Sequence, residues 1–103
     1  MYARLISFSG ADPERREAAI ERMRETVIPM LREYDGFAGY IGLFDEENRR
    51  AGAVLLWETK EAAEAAEPEL AERRRQLASG IGLTVESEDL YEVLVLEMEK
   101  AQV

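Results

Sequence analysis

Segments with strand patterns and helix patterns follow one another in this chain in the order strand, helix, strand, strand, helix, strand. The first three strands are predicted over Tyr2 to Phe8, Phe37 to Phe44 and Arg50 to Trp57. A last strand, either continuous or broken, is predicted over Leu83 to Glu86 and Leu90 to Met98. This order is that of the split β-α-β plait, in which two helices cover one face of a four-stranded antiparallel sheet. We therefore predict one α+β domain of ferredoxin-like fold over residues 1–103.

The first helix is indicated by its caps and by apolar residues at three- and four-residue spacing. Asp12 suits the N-cap and Pro13 the first helical position, and Asp35-Gly36 is expected to end the helix. Pro29 lies inside the pattern and cannot donate a backbone hydrogen bond to Glu25. A kink is therefore predicted there.

The second helix is predicted to begin after Thr59, a favourable N-cap, and to stop at Ser79-Gly80. Ala63, Ala66, Leu70 and Leu77 give its buried stripe. Pro68 interrupts the pattern, which leaves open a division into two shorter helices.

Three of the four strands are apolar on both faces, although the helices can cover only one face. In the third strand Ala53, Leu55 and Trp57 alternate with Val54 and Leu56. In the second, Phe37, Ile41 and Leu43 oppose Ala38, Tyr40 and Phe44; in the fourth, Leu90, Leu94, Leu96 and Met98 oppose Tyr91, Val93 and Val95. A monomer would expose a large apolar patch, which soluble proteins avoid. We therefore predict a homodimer formed through the second sheet face.

Composition excludes several classes of function. The formal net charge is −9, which argues against binding to nucleic acid or to an anionic membrane surface. The chain has no cysteine and no histidine, so thiol nucleophiles, disulfides and the commonest metal ligands are absent, and no metal site is predicted. The longest apolar run, Ala51 to Trp57, is too short to span a membrane. A cytoplasmic protein is the default expectation.

Several short stretches resemble the dimeric α/β-barrel superfamily, and within it the antibiotic-biosynthesis-monooxygenase-like proteins. The resemblance runs from Tyr2 to about Glu97 and is carried by Pro29-Met30-Leu31, Asp35-Gly36-Phe37-Ala38-Gly39-Tyr40, Leu55-Leu56-Trp57-Glu58-Thr59-Lys60-Glu61-Ala62-Ala63 and Tyr91-Glu92-Val93. It implies two plaits that face each other through their sheets, with a ligand pocket in each subunit between sheet and helices. Members include cofactor-free monooxygenases acting on polycyclic phenols, haem-degrading oxygenases and isomerases.

The chain departs from two branches of that superfamily. The haem-degrading branch uses an Asn on the first strand and a His on the second helix, and here the only Asn is Asn48, in the hairpin turn. The cofactor-free monooxygenases pair Asn, Trp and Tyr in the pocket; Trp57 is present, and the strand Asn is not. We therefore expect neither haem nor any other cofactor.

Five residues are candidates for the ligand pocket. Trp57 could stack on an aromatic ligand or simply close the corner between strand and helix. Tyr40 and Tyr91 could donate a phenolic proton to a ligand oxygen, the alternative being half-buried strand tyrosines that reach solvent. Arg4, among apolar neighbours, needs a carboxylate from the protein or from a ligand. Ser7 could hydrogen-bond a ligand.

Two charged clusters are interpreted as surface features. Asp45, Glu46 and Glu47 form an acidic turn without metal-ligand spacing. Arg73-Arg74-Arg75 cannot converge on one anion, because successive helical residues point about 100° apart. With Glu69 and Glu72 nearby they are predicted to form surface ion pairs.

These features predict a small-molecule-binding protein of the cofactor-free monooxygenase-like type, with an apolar or aromatic ligand between sheet and helices. The alternative is a non-catalytic module for ligand binding or dimerisation.

Overall fold

The sheet has the strand order β2-β3-β1-β4, with every neighbouring pair antiparallel. In the computed structural model, which describes residues 1–99, the strands are β1 (Tyr2–Ser9), β2 (Phe37–Asp45), β3 (Arg50–Trp57) and β4 (Thr84–Glu92). Two helical segments connect β1 to β2 and β3 to β4. The predicted ferredoxin-like plait is thus confirmed for the described residues; residues 100–103 of the predicted domain lie outside them.

The first helix changes its winding along its length. It consists of a 3-10 turn Pro13–Arg15, an α-helical stretch Arg16–Arg22, a π-helical turn Met23–Val27 and a last α-helical turn Ile28–Leu31. As predicted, the Asp12 side chain caps its start, accepting a hydrogen bond from the Glu14 backbone at 3.0 Å. The helix ends earlier than predicted, at Leu31, and the chain then reaches Gly36 through turns.

The π-helical turn directly precedes Pro29, at the point where a kink is predicted. The backbone N–H of Ile28 bonds to the carbonyl of Met23, five residues back. Pro29 has no N–H and its ring crowds the carbonyl four residues before it, so a wider turn relieves the helix at this point.

The second helix runs without a break over Lys60–Gly80, and the Thr59 hydroxyl caps it by accepting a hydrogen bond from the Ala62 backbone at 3.1 Å. The division suggested by Pro68 is wrong. Pro68 has no N–H, so the carbonyl of Glu64, four residues earlier, lacks its helical hydrogen bond. Both residues lie on the exposed side of the helix, where water can bond to that carbonyl instead. The buried stripe of the helix continues past the proline as far as Ala78.

The last strand differs from its prediction in two ways. It is one strand, with a register shift opposite Ser7 and Phe8, and it ends at Glu92 instead of Met98. Within residues 1–99 it pairs with β1 alone, whose first residue is Tyr2, and the ladder is extended by one bond, from the Val93 N–H to the Met1 carbonyl at 2.9 Å. Residues 93–99 leave the sheet, and Leu94 is 84% exposed.

The core lies between the helices and one face of the sheet. It is built from residues of the two strands β1 and β3 and of both helices: Ile6, Leu31, Ala53, Leu55, Trp57, Ala63, Ala66 and Leu70. A bulge between Phe37 and Gly39 turns Phe37 to this face, where its ring meets that of Trp57 edge-on at 5.7 Å. The prediction that Phe37 shares a face with Ile41 is therefore wrong, because the bulge breaks the alternation.

The opposite face of the sheet, which we call the open face, is also apolar. By the strand register it carries Leu5, Ile41, Leu43, Val54, Leu56 and Tyr91. Leu43 is 49% and Tyr91 55% exposed. Apolar residues on both faces thus follow the predicted pattern as far as the strands extend. None of the helices in residues 1–99 has the length and apolar character needed to cross a membrane.

Candidate functional site

A cavity of about 60 Å³ lies between the sheet and the two helices and opens to the surface. Its walls are apolar apart from Tyr40 and Arg74, and the full lining is Ile6, Phe8, Val27, Met30, Leu31, Tyr40, Ala53, Leu55, Leu70, Arg74 and Leu77. Such a space holds roughly four water molecules, whereas pockets for drug-sized ligands have about 300–1,000 Å³. Only a small ring fits without movement of the walls.

Tyr40 places a hydroxyl donor at this cavity. It stands on β2 opposite Leu55, so its side chain points toward the helices. Its hydroxyl donates a hydrogen bond to the Met23 sulfur at 3.1 Å. Burial raises the pKa of the Tyr40 phenol above its ordinary value, and the positive charge of Arg74 only partly opposes this shift. The group is therefore protonated at neutral pH and acts as a donor, not as a base.

Arg74 supplies the second polar group of the cavity. Its side chain is only 9% exposed, and its guanidinium binds both oxygens of Glu67, at 3.0 and 3.1 Å, and also the carboxylate of Glu88. Arg75 holds the other oxygen of Glu88 at 3.2 Å.

The prediction that all three consecutive arginines form surface pairs is wrong for Arg74. It holds for Arg73, which bonds to Glu69 at 3.1 Å and is exposed. The buried position of Arg74 could have been predicted from the sequence. Arg74 lies four residues after Leu70 and three before Leu77, so it falls on the buried stripe of the helix.

Arg4, on β1, is not among the residues that line the cavity, but it is connected through Glu67 to Arg74, which does line it. Arg4 is only 9% exposed and lies on the face covered by the helices, beside Leu55 and Leu90 in the ladder. Its Nε atom is 3.6 Å from the Glu67 oxygen that Arg74 also holds. Arg4, Glu67, Arg74 and Glu88 thus form one largely buried chain of charges at the edge of the cavity.

The other candidate residues lie elsewhere. Trp57 is 1% exposed, packs against Phe37 in the core and is not among the residues that line the cavity. Ser7 and Tyr91 lie on the open face, away from the helices. Of the five candidates, Tyr40 therefore lines the cavity, and Arg4 is connected through Glu67 to Arg74, which lines it as well. The roles assigned to all five stay predictions.

The acidic turn is organised by hydrogen bonds within the hairpin. The Asp45 carboxylate accepts hydrogen bonds from the Asn48 amide at 2.9 Å and the Arg50 guanidinium at 2.7 Å. These bonds lower the pKa of Asp45 from 3.8 to about 2. Within residues 1–99, no three Asp or Glu side chains converge in a way that could hold a metal ion.

The fold is shared with several solved structures. HapK from Hahella chejuensis is 10% identical, with a TM-score of 0.70 over 98% of this chain and 100% of its own. A putative antibiotic biosynthesis monooxygenase from Deinococcus radiodurans is 16% identical, with a TM-score of 0.66 over 98% of this chain and 100% of its own. The monooxygenase from the gene ActVA-Orf6 of Streptomyces coelicolor, solved with the ligand Nanaomycin D, is 18% identical, with a TM-score of 0.68 over 96% of this chain and 92% of its own.

No protein-family model and no curated protein matches the sequence. At these identities the structural likenesses show the fold alone. The resemblance to antibiotic-biosynthesis-monooxygenase-like proteins inferred from the sequence motifs is confirmed at that level.

Proposed function

We propose that this protein binds a small apolar or aromatic molecule between sheet and helices, in the manner of the cofactor-free monooxygenase-like proteins. The observation that carries the proposal is an apolar cavity with one protonated hydroxyl, that of Tyr40, whose present acceptor is a thioether. A thioether sulfur is a weak acceptor, so a ligand oxygen would compete well for this donor.

An oxidation at this site would rely on the reactivity of the ligand itself. An electron-rich ring with an activated CH₂ group reacts with O₂ so that one oxygen atom forms the new carbonyl and the other leaves in water with both hydrogens. The chain would contribute apolar walls that exclude water and the Tyr40 hydroxyl, which stabilises negative charge that develops on a ligand oxygen.

A second candidate function is binding without turnover. It is favoured by the state of the two polar groups: Tyr40 is protonated, and the Arg74 guanidinium is already bonded to Glu67 and Glu88. Neither can act as a general base at neutral pH.

A titration with phenol and 1-naphthol, followed by amide chemical shifts, tests the binding. We expect phenol to shift resonances of the residues that line the cavity, with 1-naphthol weaker because of its size. Ala53→Leu fills the cavity and should abolish the shifts, whereas Leu70→Ala enlarges it and should strengthen 1-naphthol binding. Circular dichroism verifies that both variants fold. Absence of shifts in the wild-type protein and in Leu70→Ala would overturn the proposal.

Oxygen uptake with 1,3-cyclohexanedione, whose single ring is about the size of phenol and carries an activated CH₂ group, separates the two functions. Uptake that depends on the protein and is lost in Ala53→Leu supports the monooxygenase-like reaction. Binding without uptake contradicts it and supports the non-catalytic module.

We further propose that two copies of the chain associate through the open face. Within residues 1–99 this face carries two carboxylates without an ion pair, Asp89 and the Glu86 that accepts a hydrogen bond from Ser9, while Asp45 and Arg50 neutralise each other at the hairpin end. Copies of a chain with net charge −9 repel each other, so association requires a surface like this one, on which apolar side chains outnumber the charges. Burial of its leucine, isoleucine and valine side chains would drive the association. The cytoplasmic location stays a prediction.

Analytical ultracentrifugation tests the dimer. We expect a species of twice the 11.7 kDa chain mass at micromolar concentration. Leu5→Glu places a charge on the open face and should give the monomer mass, whereas Ala65→Glu places the same charge on the exposed side of the second helix and should leave the dimer intact. A wild-type monomer, or a dimer insensitive to Leu5→Glu, would contradict the proposal.

A further inference from the structure

Arg4 is a nearly buried cation whose hydrogen-bonding capacity is hardly used. It lies in a strand among apolar neighbours and is 9% exposed. Its single ion pair, to Glu67, is 3.6 Å long and is made through Nε, and its side chain donates no hydrogen bond within residues 1–99. A guanidinium has five N–H donors. Because no fully buried side-chain nitrogen within residues 1–99 lacks a hydrogen-bond partner, the unpaired donors of Arg4 still reach water and are open to an anion.

The carboxylates that could satisfy Arg4 are bonded more closely to other arginines. Both Glu67 oxygens are held by Arg74 at 3.0 and 3.1 Å. Glu88 is shared by Arg74 and Arg75. Three guanidiniums therefore share two carboxylates, and Arg4 has the weakest contact of the three. Arg4 is therefore the member of this cluster that has the most donors left for a further anion.

An anion bound to Arg4 would lie next to the cavity, because neighbours of Arg4 in the sheet line it. Ile6, two residues along on the same face of β1, and Leu55, its ladder partner on β3, both line the cavity. Arg74, which shares Glu67 with Arg4, lines it too. Arg4 itself does not line the cavity, so the charged cluster reaches this otherwise apolar space through Arg74, with Arg4 behind it.

We propose that the ligand of this site is a small aromatic anion whose carboxylate binds to Arg4 while its ring occupies the apolar cavity. The proposal rests on the proposed ligand-binding function and names its ligand class. Planar, bidentate binding of a carboxylate is what a guanidinium provides, and such charge-assisted bonds are roughly twice as strong as neutral ones. Tyr40, at the same cavity, supplies a hydroxyl donor for a ring oxygen or for the second side of the carboxylate.

Benzoate and benzamide are a matched pair of probes, because they share ring and shape and differ in charge. Isothermal titration of the wild-type protein at neutral pH should show benzoate binding about 10-fold or more tightly than benzamide. Arg4→Met keeps an apolar stem in the strand and should remove this preference, so that benzoate and benzamide bind equally. Arg73→Met removes an exposed arginine from the second helix and should keep it.

The outcomes separate the inference from the proposed function. Equal affinity of the wild-type protein for benzoate and benzamide would overturn the anionic ligand class and leave the binding site standing. A preference for benzoate that survives Arg4→Met would overturn the role of Arg4. If neither probe binds, either to the wild-type protein or to the enlarged Leu70→Ala variant, the proposed function fails together with this inference. Because the wild-type comparison needs no variant, the inference stays testable even if Arg4→Met does not fold.

Discussion

The hydroxyl of Tyr40 lies 3.1 Å from the sulfur of Met23 and donates a hydrogen bond to it. The contact joins β2 to the first residue of the π-helical turn in the first helix. It connects the backbone irregularity that precedes Pro29 with the one hydroxyl at the cavity. Because π-helical turns inside α-helices are frequent at functional sites, this junction agrees with a ligand site there.

Removal of this hydroxyl should affect ligand binding more than folding. Tyr40→Phe gives up a bond to a weak acceptor, so the free energy of unfolding should fall by less than about 1 kcal/mol. Binding of phenol should weaken by about 0.5–1.5 kcal/mol, because the ligand oxygen loses its donor. Urea unfolding and calorimetric titration measure the two effects. Tyr34→Phe, whose hydroxyl bonds to Glu69 at the surface, is the control and should leave phenol binding unchanged.

The buried ion pairs of Arg74 should contribute far more to stability than those of its neighbour. Arg74→Met leaves the carboxylates of Glu67 and Glu88 partly buried with fewer partners, and we expect a loss of about 2–4 kcal/mol in the free energy of unfolding. Arg73→Met breaks one exposed pair with Glu69 and should cost less than about 0.5 kcal/mol. Equal losses in denaturant unfolding would contradict the buried placement of Arg74.

The fold could be predicted because its determinants are local. Strand alternation, the Asp12 and Thr59 caps and the polar hairpin turn each specify their own element. The errors arose where a distant partner decides the outcome. The last strand carries an apolar pattern as far as Met98, yet it ends at Glu92, which is paired with the first residue of β1, Tyr2, so its length follows from its partner and not from its own pattern. Pro68 is tolerated because it falls on the exposed side of its helix.

Less of the candidate site than of the fold could be predicted from the sequence. Tyr40 was selected together with Tyr91 as a strand tyrosine with a phenolic donor, and only the structure shows that Tyr40 alone faces the helices. Arg4 could be selected because a charge among apolar residues needs a partner. Arg74 was overlooked, since three consecutive arginines suggest a surface until the leucine spacing is considered. Glu67 lies two turns before Arg74 on the same face of the second helix, a spacing that is visible in the sequence. That Glu88, on β4, also meets Arg74 depends on how this helix lies on the sheet, and no local pattern encodes it.

The turn after the first helix should tolerate no side chain at Gly36. Its φ of +81° is strained for any other residue, and a Cβ there would lie 2.6 Å from that of Ala62. Gly82 has nearly the same φ, +78°, but open space around it. Gly82→Ala should therefore cost about 1–2 kcal/mol from the backbone alone, and Gly36→Ala should cost clearly more. Thermal or urea unfolding of both variants gives the difference, and an equal loss would show that the contact with Ala62 is relieved cheaply.

The hairpin turn should stabilise the fold in a manner that depends on the ionisation of Asp45. Hydrogen bonds from Asn48 and Arg50 favour its charged form and lower its pKa from 3.8 to about 2. A carboxyl group whose pKa is lower in the folded state stabilises that state fully above its unfolded pKa, and the effect is lost as the pH falls through the folded pKa. Wild-type protein and Asp45→Asn should therefore differ in stability at neutral pH and converge as the pH falls from 3.8 toward about 2. Urea unfolding over that range measures the difference, with Glu46→Gln as the control, because it removes a charge from the same turn without touching these bonds. A difference between wild type and Asp45→Asn that stays constant down to the lowest pH would show that the charge of Asp45 does not stabilise the turn.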